Sequence, residues 1–183
     1  MKFHVIVTGA RGFIGSNIAE AFPGAELFEG DITEPFEHEQ GGVLIHCAAA
    51  LKHKPVREQF DVNVWGTYNL YETIQPEYAV YVSTQSKPGE NSYALTKWLG
   101  ERIALNHGCV LRLTYPFGPG MGPHHLVSRL KKSMANPDTV IEATPVNRVV
   151  EQVKDMLCRR EVGSVVELAG TRMTIRELSE WQP

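Results

Sequence analysis

The chain has 183 residues with 18 Lys and Arg against 21 Asp and Glu, a net charge of −3. With an isoelectric point near 6.2, it lacks the basic field that nucleic acid requires, and its length suits one substantial core in a single compact domain. Cys47, Cys109 and Cys158 are scattered without paired metal-ligand spacing and read as reduced thiols. The opening MKFHVIVTGA lacks a signal-peptide layout and no apolar run approaches a membrane span, so a cytoplasmic protein without membrane, nucleic-acid or metal partners is expected.

The stretch at 5–18, VIVTGARGFIGSNI, sets the expectation for everything after it. Val5, Ile6 and Val7 form a β-branched run suited to a strand buried on both faces, and Thr8-Gly9 ends it. Gly9 permits a tight turn, Gly12 lets a pyrophosphate approach the backbone, and Gly15 lets the following helix pack close to the strand. That helix, over about 12–21, stops at Pro23-Gly24, and a second strand at 25–29 leads into Gly30-Asp31-Ile32-Thr33. Glu29 and Asp31 lie 20 and 22 residues beyond Gly9, about where a dinucleotide fold places the acid that bonds the adenosine ribose. Either serves equally well on spacing, and each also suits a strand end or a helix cap.

VLIHCAAA at 43–50 reads as a buried parallel strand ending in small residues, so that backbone at Ala48 and Ala49 can approach a cofactor. His46 lies inside it and is expected to be a hydrogen-bonded core group. Val56, Phe60, Val64, Tyr68 and Tyr71 recur at helical spacing, predicting one amphipathic helix over 56–74 with Asn63 on another face. The strand AVYVS at 79–83 delivers Ser83 and Thr84 to the end of the sheet where open α/β folds bind ligands. Asn91-Ser92 then caps a helix on which Tyr93 and Lys97 lie one turn apart. An ammonium beside a phenol favours phenolate, so Lys97 is expected to lower the pKa of Tyr93, with a hydroxyl such as Thr84 bonding the substrate oxygen.

Further on, a strand over 109–115 is broken by Pro116. Beyond it lie His124 and His125, a helix at 126–134, an apolar piece at 140–141, a helix at about 149–159, a strand at 164–168 and a capping-box helix starting at Thr174.

In this order TGARGFIG at 8–15, GDIT at 30–33, HCAA at 46–49, NVWGT at 63–67, VST at 82–84, YALTK at 93–97 and LRLTYPFGPG at 111–120 resemble the extended short-chain dehydrogenase/reductases, the NAD-dependent epimerase/dehydratase family. The resemblance implies an α/β, Rossmann-like, doubly wound parallel sheet, with a dinucleotide-binding core over 1–118. Over 119–183 it implies a reduced substrate-binding region that includes the last core strand. It also implies an enzyme that moves hydride between a nicotinamide and a secondary alcohol or ketone, most often on a nucleotide-activated sugar. Tyr93 would be the general acid/base, Lys97 would tune it and hold the nicotinamide ribose, and Thr84 would orient the reacting oxygen. Gly9, Arg11, Gly12, Phe13, Ile14, Gly15, Asp31, Ile32, Ala48, Ala49, Asn63 and Tyr115 would line the cofactor, and Gln85 would stand beside the substrate.

Departures narrow this. The chain is short for the family, with a single strand where a strand-helix-strand normally precedes HCAA, and Gln85-Ser86 stand where the family's dehydratases carry Asp-Glu, which argues against a 4,6-dehydratase. The rival reading is a non-catalytic NAD(P)-binding sensor or scaffold. Glu29 and Asp31 favour NAD, whereas Arg11 in the glycine loop would favour NADP. Trp65, Tyr68, Tyr71, Trp98 and Leu99 exceed what one sheet-facing stripe needs, and with the family's habit of pairing these helices they predict a homodimer. For a sugar diphosphate the available cations are Arg129, Lys131, Lys132 and Arg148, with Arg148 preferred.

Overall fold

In a computed structural model, described over residues 4–121 and 136–180, six parallel strands form the main sheet. They are β1 (Val5–Thr8), β2 (Glu26–Phe28), β3 (Val43–His46), β4 (Tyr78–Thr84), β5 (Gly108–Leu113) and β8 (Val165–Leu168), in the order β2-β1-β3-β4-β5-β8. From β1 the chain runs outward to β2 through α1 (Phe13–Ala21), then crosses back to place β3 on the other side of β1. The strand order therefore reverses between β1 and β3, which opens a crevice beyond their carboxyl ends. This is the Rossmann-like, doubly wound arrangement expected from the sequence.

Alternate residues of the strands feed two cores, as period-2 side-chain placement requires. Val7, Ile45, Val80, Val82 and Leu111 face α1 and α5 (Val146–Arg159), meeting Ile18, Val149, Val153 and Met156. Ile6, Leu44, Ala79, Tyr81 and Val110 face the other layer and meet Leu70, Tyr71, Ile74 and Ala104. That layer is built from α2 (Val56–Phe60), α3 (Thr67–Ile74) and α4 (Ser92–Ala104). Burial on both faces is why β3 and β4 read as nearly unbroken apolar runs.

Three features differ from expectation. The helix over 56–74 is not uniform, because Asp61–Gly66 forms a π-helical turn between α2 and α3. Such wide turns persist where other bonds hold them, and here the turn carries Asn63, whose amide is bonded to Ala50 and Thr96. Second, α5 starts at Val146, three residues before the predicted 149, because Val146 is itself buried in its apolar stripe. Third, a small second sheet joins β6 (Tyr115–Phe117), β7 (Val140–Pro145) and β9 (Thr171–Thr174), with β6 parallel and β9 antiparallel to β7. Phe117, Ala143 and Leu178 make its own core. The last helix, α6 (Ile175–Glu180), has the capping box read from sequence: the Thr174 amide donates to Glu177 Oε2 at 2.7 Å and the Glu177 amide donates back to Thr174 Oγ1 at 3.2 Å.

Candidate active site

The glycine turn after β1 is shaped for close approach. Gly9 has φ +68°, and a Cβ there would lie 2.6 Å from the Ala48 nitrogen. A Cβ on Gly15 would collide with the Gly9 carbonyl. The Gly12 amide closes the turn on that same carbonyl at 2.8 Å, and α1 begins at Phe13 and Ile14 with no side chain capping its N-terminus. Main-chain donors at a helix start without a side-chain cap are an anion site in waiting.

Beside it, at the end of β2, the Asp31 carboxylate accepts from the Thr33 amide at 2.9 Å and the Thr33 hydroxyl at 2.7 Å. These bonds, the backbone one foremost, hold its pKa below the usual carboxylate range. Ile32 is buried against Gly66, and the Asn69 amide donates to the Ile32 and Glu34 carbonyls at 3.0 and 2.9 Å, clamping this loop to α3. An open cleft of about 400 Å³ lies next to Asp31, lined also by Thr33, Pro55, Arg57, Glu58 and Asp61. Arg11 pairs with Glu29 at 3.2 Å, both well exposed.

His46 ties the cradle to the helical layer. It is fully buried, with Nδ1 2.6 Å from Thr8 Oγ1 and Nε2 3.1 Å from Thr67 Oγ1. Burial, followed by the nearby Lys97 charge, keeps its pKa well below the usual value, so the ring is neutral. Since the Thr67 hydroxyl donates to the Asn63 carbonyl at 2.9 Å, His46 Nε2 must be the protonated nitrogen and Nδ1 the acceptor from Thr8. Thr8 Oγ1 in turn accepts from the Ala48 amide at 3.3 Å, and Asn63 exchanges bonds of 2.8 and 3.0 Å with the main chain of Ala50. His46 is thus the hydrogen-bonded core group expected.

Thr84 ends β4, half-buried, and its hydroxyl accepts from the Ser86 amide at 3.2 Å. Asn91 caps α4 by accepting from the Ala94 amide at 3.0 Å, which fixes the first turn carrying Tyr93. Lys97, one turn on, is 2% exposed. Among the described residues its ammonium meets no carboxylate or carbonyl at hydrogen-bond distance, and Nζ lies 3.9 Å from the centroid of the Tyr81 ring. Burial pulls Lys97 down to about 7 despite opposing contributions from Cys47 and Glu101. Burial also pushes the Tyr93 phenol up to about 12 and the Cys47 thiol up to about 12. The lowering of Tyr93 expected from the sequence is therefore not present: desolvation decides the direction, and the ammonium rests against Tyr81.

The profile of the NAD-dependent epimerase/dehydratase family matches residues 5–170. This chain belongs to that family. A search of curated proteins returned no match. Among solved structures, the chain is similar to MoeE5 in complex with UDP-glucose and NAD (24% identity, TM-score 0.78, 96% of this chain and 79% of that one). It is similar to RMD from Pseudomonas aeruginosa complexed with NADPH (20%, 0.78, 98% and 82%). A third likeness is to DesIV, a dTDP-glucose 4,6-dehydratase from Streptomyces venezuelae with NAD and TYD bound (18%, 0.79, 96% and 79%). At these identities the likeness shows the fold.

Several candidate residues of this epimerase/dehydratase-family chain have structural partners of their own. Gln85, just past β4, donates to the Leu168 carbonyl at 2.9 Å, bridging the end of β4 to β8. The Ser83 hydroxyl donates to Glu101 Oε1 at 2.6 Å. Tyr115 is half exposed on β6, and Arg148 lies exposed in the first turn of α5, donating to the Ala169 carbonyl at 3.4 Å. Tyr71, one of the five large apolar groups counted as exceeding one sheet-facing stripe, is fully buried under the sheet. His124, His125, Arg129, Lys131, Lys132 and the helix at 126–134 lie outside the described residues.

Sequence reading overlooked Glu101, although it stands four residues beyond Lys97 on the same stripe of α4. It is 2% exposed and receives Ser83 and a two-pronged Arg112 (3.0 and 2.7 Å), while Arg112 also reaches Glu167 at 3.0 Å. This buried, fully bonded carboxylate fixes α4 to the ends of β4, β5 and β8.

The Lys97 titration has a thermodynamic consequence. The folded chain releases that proton near pH 7 while an ordinary lysine holds it to 10.5, so unfolding takes up a proton between those values and stability rises with pH there. From pH 7 to 9, below the range where Cys47 and the tyrosines begin to act in the opposite sense, the wild type should gain on the order of 1 kcal/mol per pH unit relative to Lys97→Met. Urea denaturation of both proteins across this window measures the difference, and parallel curves would show that Lys97 titrates normally.

Proposed function

We propose that this protein is an NAD-dependent oxidoreductase or epimerase acting on a secondary alcohol or ketone of a nucleotide-activated sugar. The observation that carries the reading is the placement of Tyr93 and Lys97 one turn apart on α4, with Thr84 ending β4, at the same end of the sheet as the glycine cradle. The cradle fits a dinucleotide because a Cβ at Gly9 or Gly15 would fill the close-approach surface. Gly9, Gly12 and Gly15 would face the pyrophosphate with Arg11, Phe13 and Ile14 beside them. Asp31 and Ile32 would bind the adenosine, Ala48 and Ala49 would line the middle, and Lys97 and Tyr115 the nicotinamide end. Asn63 would act through Ala50, which it holds.

Bound there, a nicotinamide supplies the acceptor and donor of hydride. The chain's own groups manage the proton and the orientation. Thr84 hydrogen-bonds the substrate oxygen, and Tyr93 moves the proton between its phenol and that oxygen. A phenol held near 12 is fully protonated at neutral pH and ready to donate to a carbonyl oxygen. In the reverse direction the phenolate needs the Lys97 charge, which a bound pyrophosphate would favour. Gln85-Ser86 after Thr84 supply no carboxylate for elimination of water, which sets the reading apart from a 4,6-dehydratase.

For the cofactor, NAD is favoured over NADP. Asp31 would meet the ribose hydroxyls and has no ion pair among the described residues, while the nearby cations are taken: Arg11, which would welcome a 2′-phosphate, is paired to Glu29, and Arg57 in the same cleft to Asp61. For assembly, Trp65, Tyr68 and Trp98 remain exposed on the layer of α3 and α4, a group of large apolar side chains suited to a second copy.

Three measurements test the reading. With UDP-glucose, UDP-glucuronic acid and dTDP-glucose as trial substrates, Tyr93→Phe should lower turnover by 10²-fold or more, as loss of a general acid does, while NADH binding persists; equal turnover in the two proteins removes Tyr93 as the general acid, and NADH binding without turnover in either leaves a non-catalytic dinucleotide-binding protein. In calorimetric titration NAD should bind at least tenfold more tightly than NADP, and the reverse order overturns the cofactor assignment. Light scattering at micromolar concentration should give twice the chain mass, and a monomer removes the dimer.

A further inference from the structure

We infer that Tyr81 is a positioning residue for Lys97: the face of its ring, not its hydroxyl, is the seat that holds the ammonium at the mouth of the cofactor crevice. The inference rests on the reading that Lys97 serves the bound dinucleotide, and it is a property of the protein before any cofactor arrives.

A buried ammonium needs compensation, and here no direct ion pair supplies it: Glu101 favours the charge only through space. Lys97 Nζ has no hydrogen-bonded acceptor among the described residues, yet it lies 3.9 Å from the Tyr81 ring centroid. That is well inside the range of a cation–π contact, which is strongest where water is excluded. The surrounding charges are accounted for. From the end of β3 come His46, which is neutral, and the next residue, Cys47, whose thiol burial keeps protonated. From α4 come Tyr93, also protonated, and Glu101, which is committed to Ser83 and Arg112. The buried polar groups of α2, the π-helical turn and α3 are Gln59, Asn63, Thr67 and the Tyr71 phenol, which burial keeps protonated, so none carries charge. Among these the π face of Tyr81 is the one electron-rich surface in contact with the ammonium.

The ring is also fixed in place. Tyr81 is fully buried in β4, with the His46 ring 5.2 Å from its own. Its hydroxyl sits where a Cβ on Gly100 would be, so α4 can lie close to β4 only because position 100 has no side chain. Among the described residues that hydroxyl makes no hydrogen bond of good geometry, although the Thr67 hydroxyl is near enough to influence it. A buried hydroxyl without a well-formed bond adds little to stability, and the part of Tyr81 that meets Lys97 is the aromatic face. Burial holds the phenol far above its ordinary pKa, so the seat stays neutral and acts through its quadrupole alone.

The test separates ring from hydroxyl and seat from cofactor role. Protein labelled with ¹³C at the lysine ε carbons gives the titration of Lys97, identified by its loss in Lys97→Met. Tyr81→Phe keeps the ring and should leave the midpoint within about 0.3 pH unit. Replacing Tyr81 by a trifluorinated phenylalanine keeps the shape, and so the fold, but drains the π face; the midpoint should fall by about one pH unit. Equal midpoints in the phenylalanine and trifluorophenylalanine proteins overturn the inference, as does a fall of one unit in Tyr81→Phe. NADH affinity, followed by its fluorescence at pH 8, should weaken severalfold with fluorination. If the midpoint falls while NADH affinity stays constant, the seat stands and the cofactor role of Lys97 fails.

Discussion

Burying one ammonium constrains much of this site. Lys97 lies beneath the surface of α4, and a charge there survives only if its neighbours neither repel it nor leave it isolated in a low-dielectric interior. The surroundings meet both conditions. His46 at the end of β3 and Cys47 directly after it are held in their neutral forms, and Tyr81 on β4 offers a ring face. The nearby carboxylate of Glu101 is anchored by Arg112 and Ser83. Neutrality is reciprocal: the lysine charge depresses the imidazole, and the neutral imidazole is what permits its bonds to Thr8 and Thr67 with one donor and one acceptor nitrogen.

Those two threonine bonds connect the parts of the molecule that must act together. Thr8 is the last residue of β1, directly before the glycine turn, and Thr67 opens α3 directly after the π-helical turn. A chain of donors and acceptors therefore runs from the Ala48 amide through Thr8, His46 and Thr67 to the Asn63 carbonyl, and the Asn63 side chain continues to Ala50 and Thr96 on α4. Every member is buried or nearly so, and every described bond is satisfied in one direction only, which fixes the tautomer. Such a network rigidifies a site more than its separate bonds would, because removing any link leaves a buried polar group unpaired.

Much of this was legible in sequence because it depends on spacing. Glycines three apart between a strand and a helix demand a close turn, and Tyr93 and Lys97 four apart must share a helical face. Depth was not legible. Spacing places Lys97 beside Tyr93 but does not say that both are desolvated, so the expected lowering of the phenol came out with the wrong sign. Tyr71 and Tyr81 were likewise indistinguishable from surface aromatics or core until the sheet covered them. The β6-β7-β9 sheet left little signal because β6 and β9 are three and four residues long and bury one residue, Phe117, between them; they are strands by virtue of pairing with β7, which is a tertiary fact. The π-helical turn hid inside an amphipathic repeat that an uninterrupted helix would satisfy as well.

The segment 29–42 shows how a short connection can still present a precise group. It contains no regular element, yet its residues are tethered at both ends to the helix after the π turn: Asn69 of α3 holds the Ile32 and Glu34 carbonyls, and the Gly41 amide donates to the Ile74 carbonyl at 2.8 Å. Between these points Phe36 packs edge-on against Phe28 at 4.9 Å, and Glu26 on the edge strand receives His38 and His4 at 2.7 and 2.8 Å. Asp31 is thus positioned from α3, the same helix whose first residue, Thr67, holds His46 and through it the glycine turn. One helix sets both the Asp31 carboxylate and the bonds behind Lys97, so the two groups proposed for the adenosine and nicotinamide ends keep a fixed separation, which a dinucleotide of fixed length requires of any protein that binds it along its whole length.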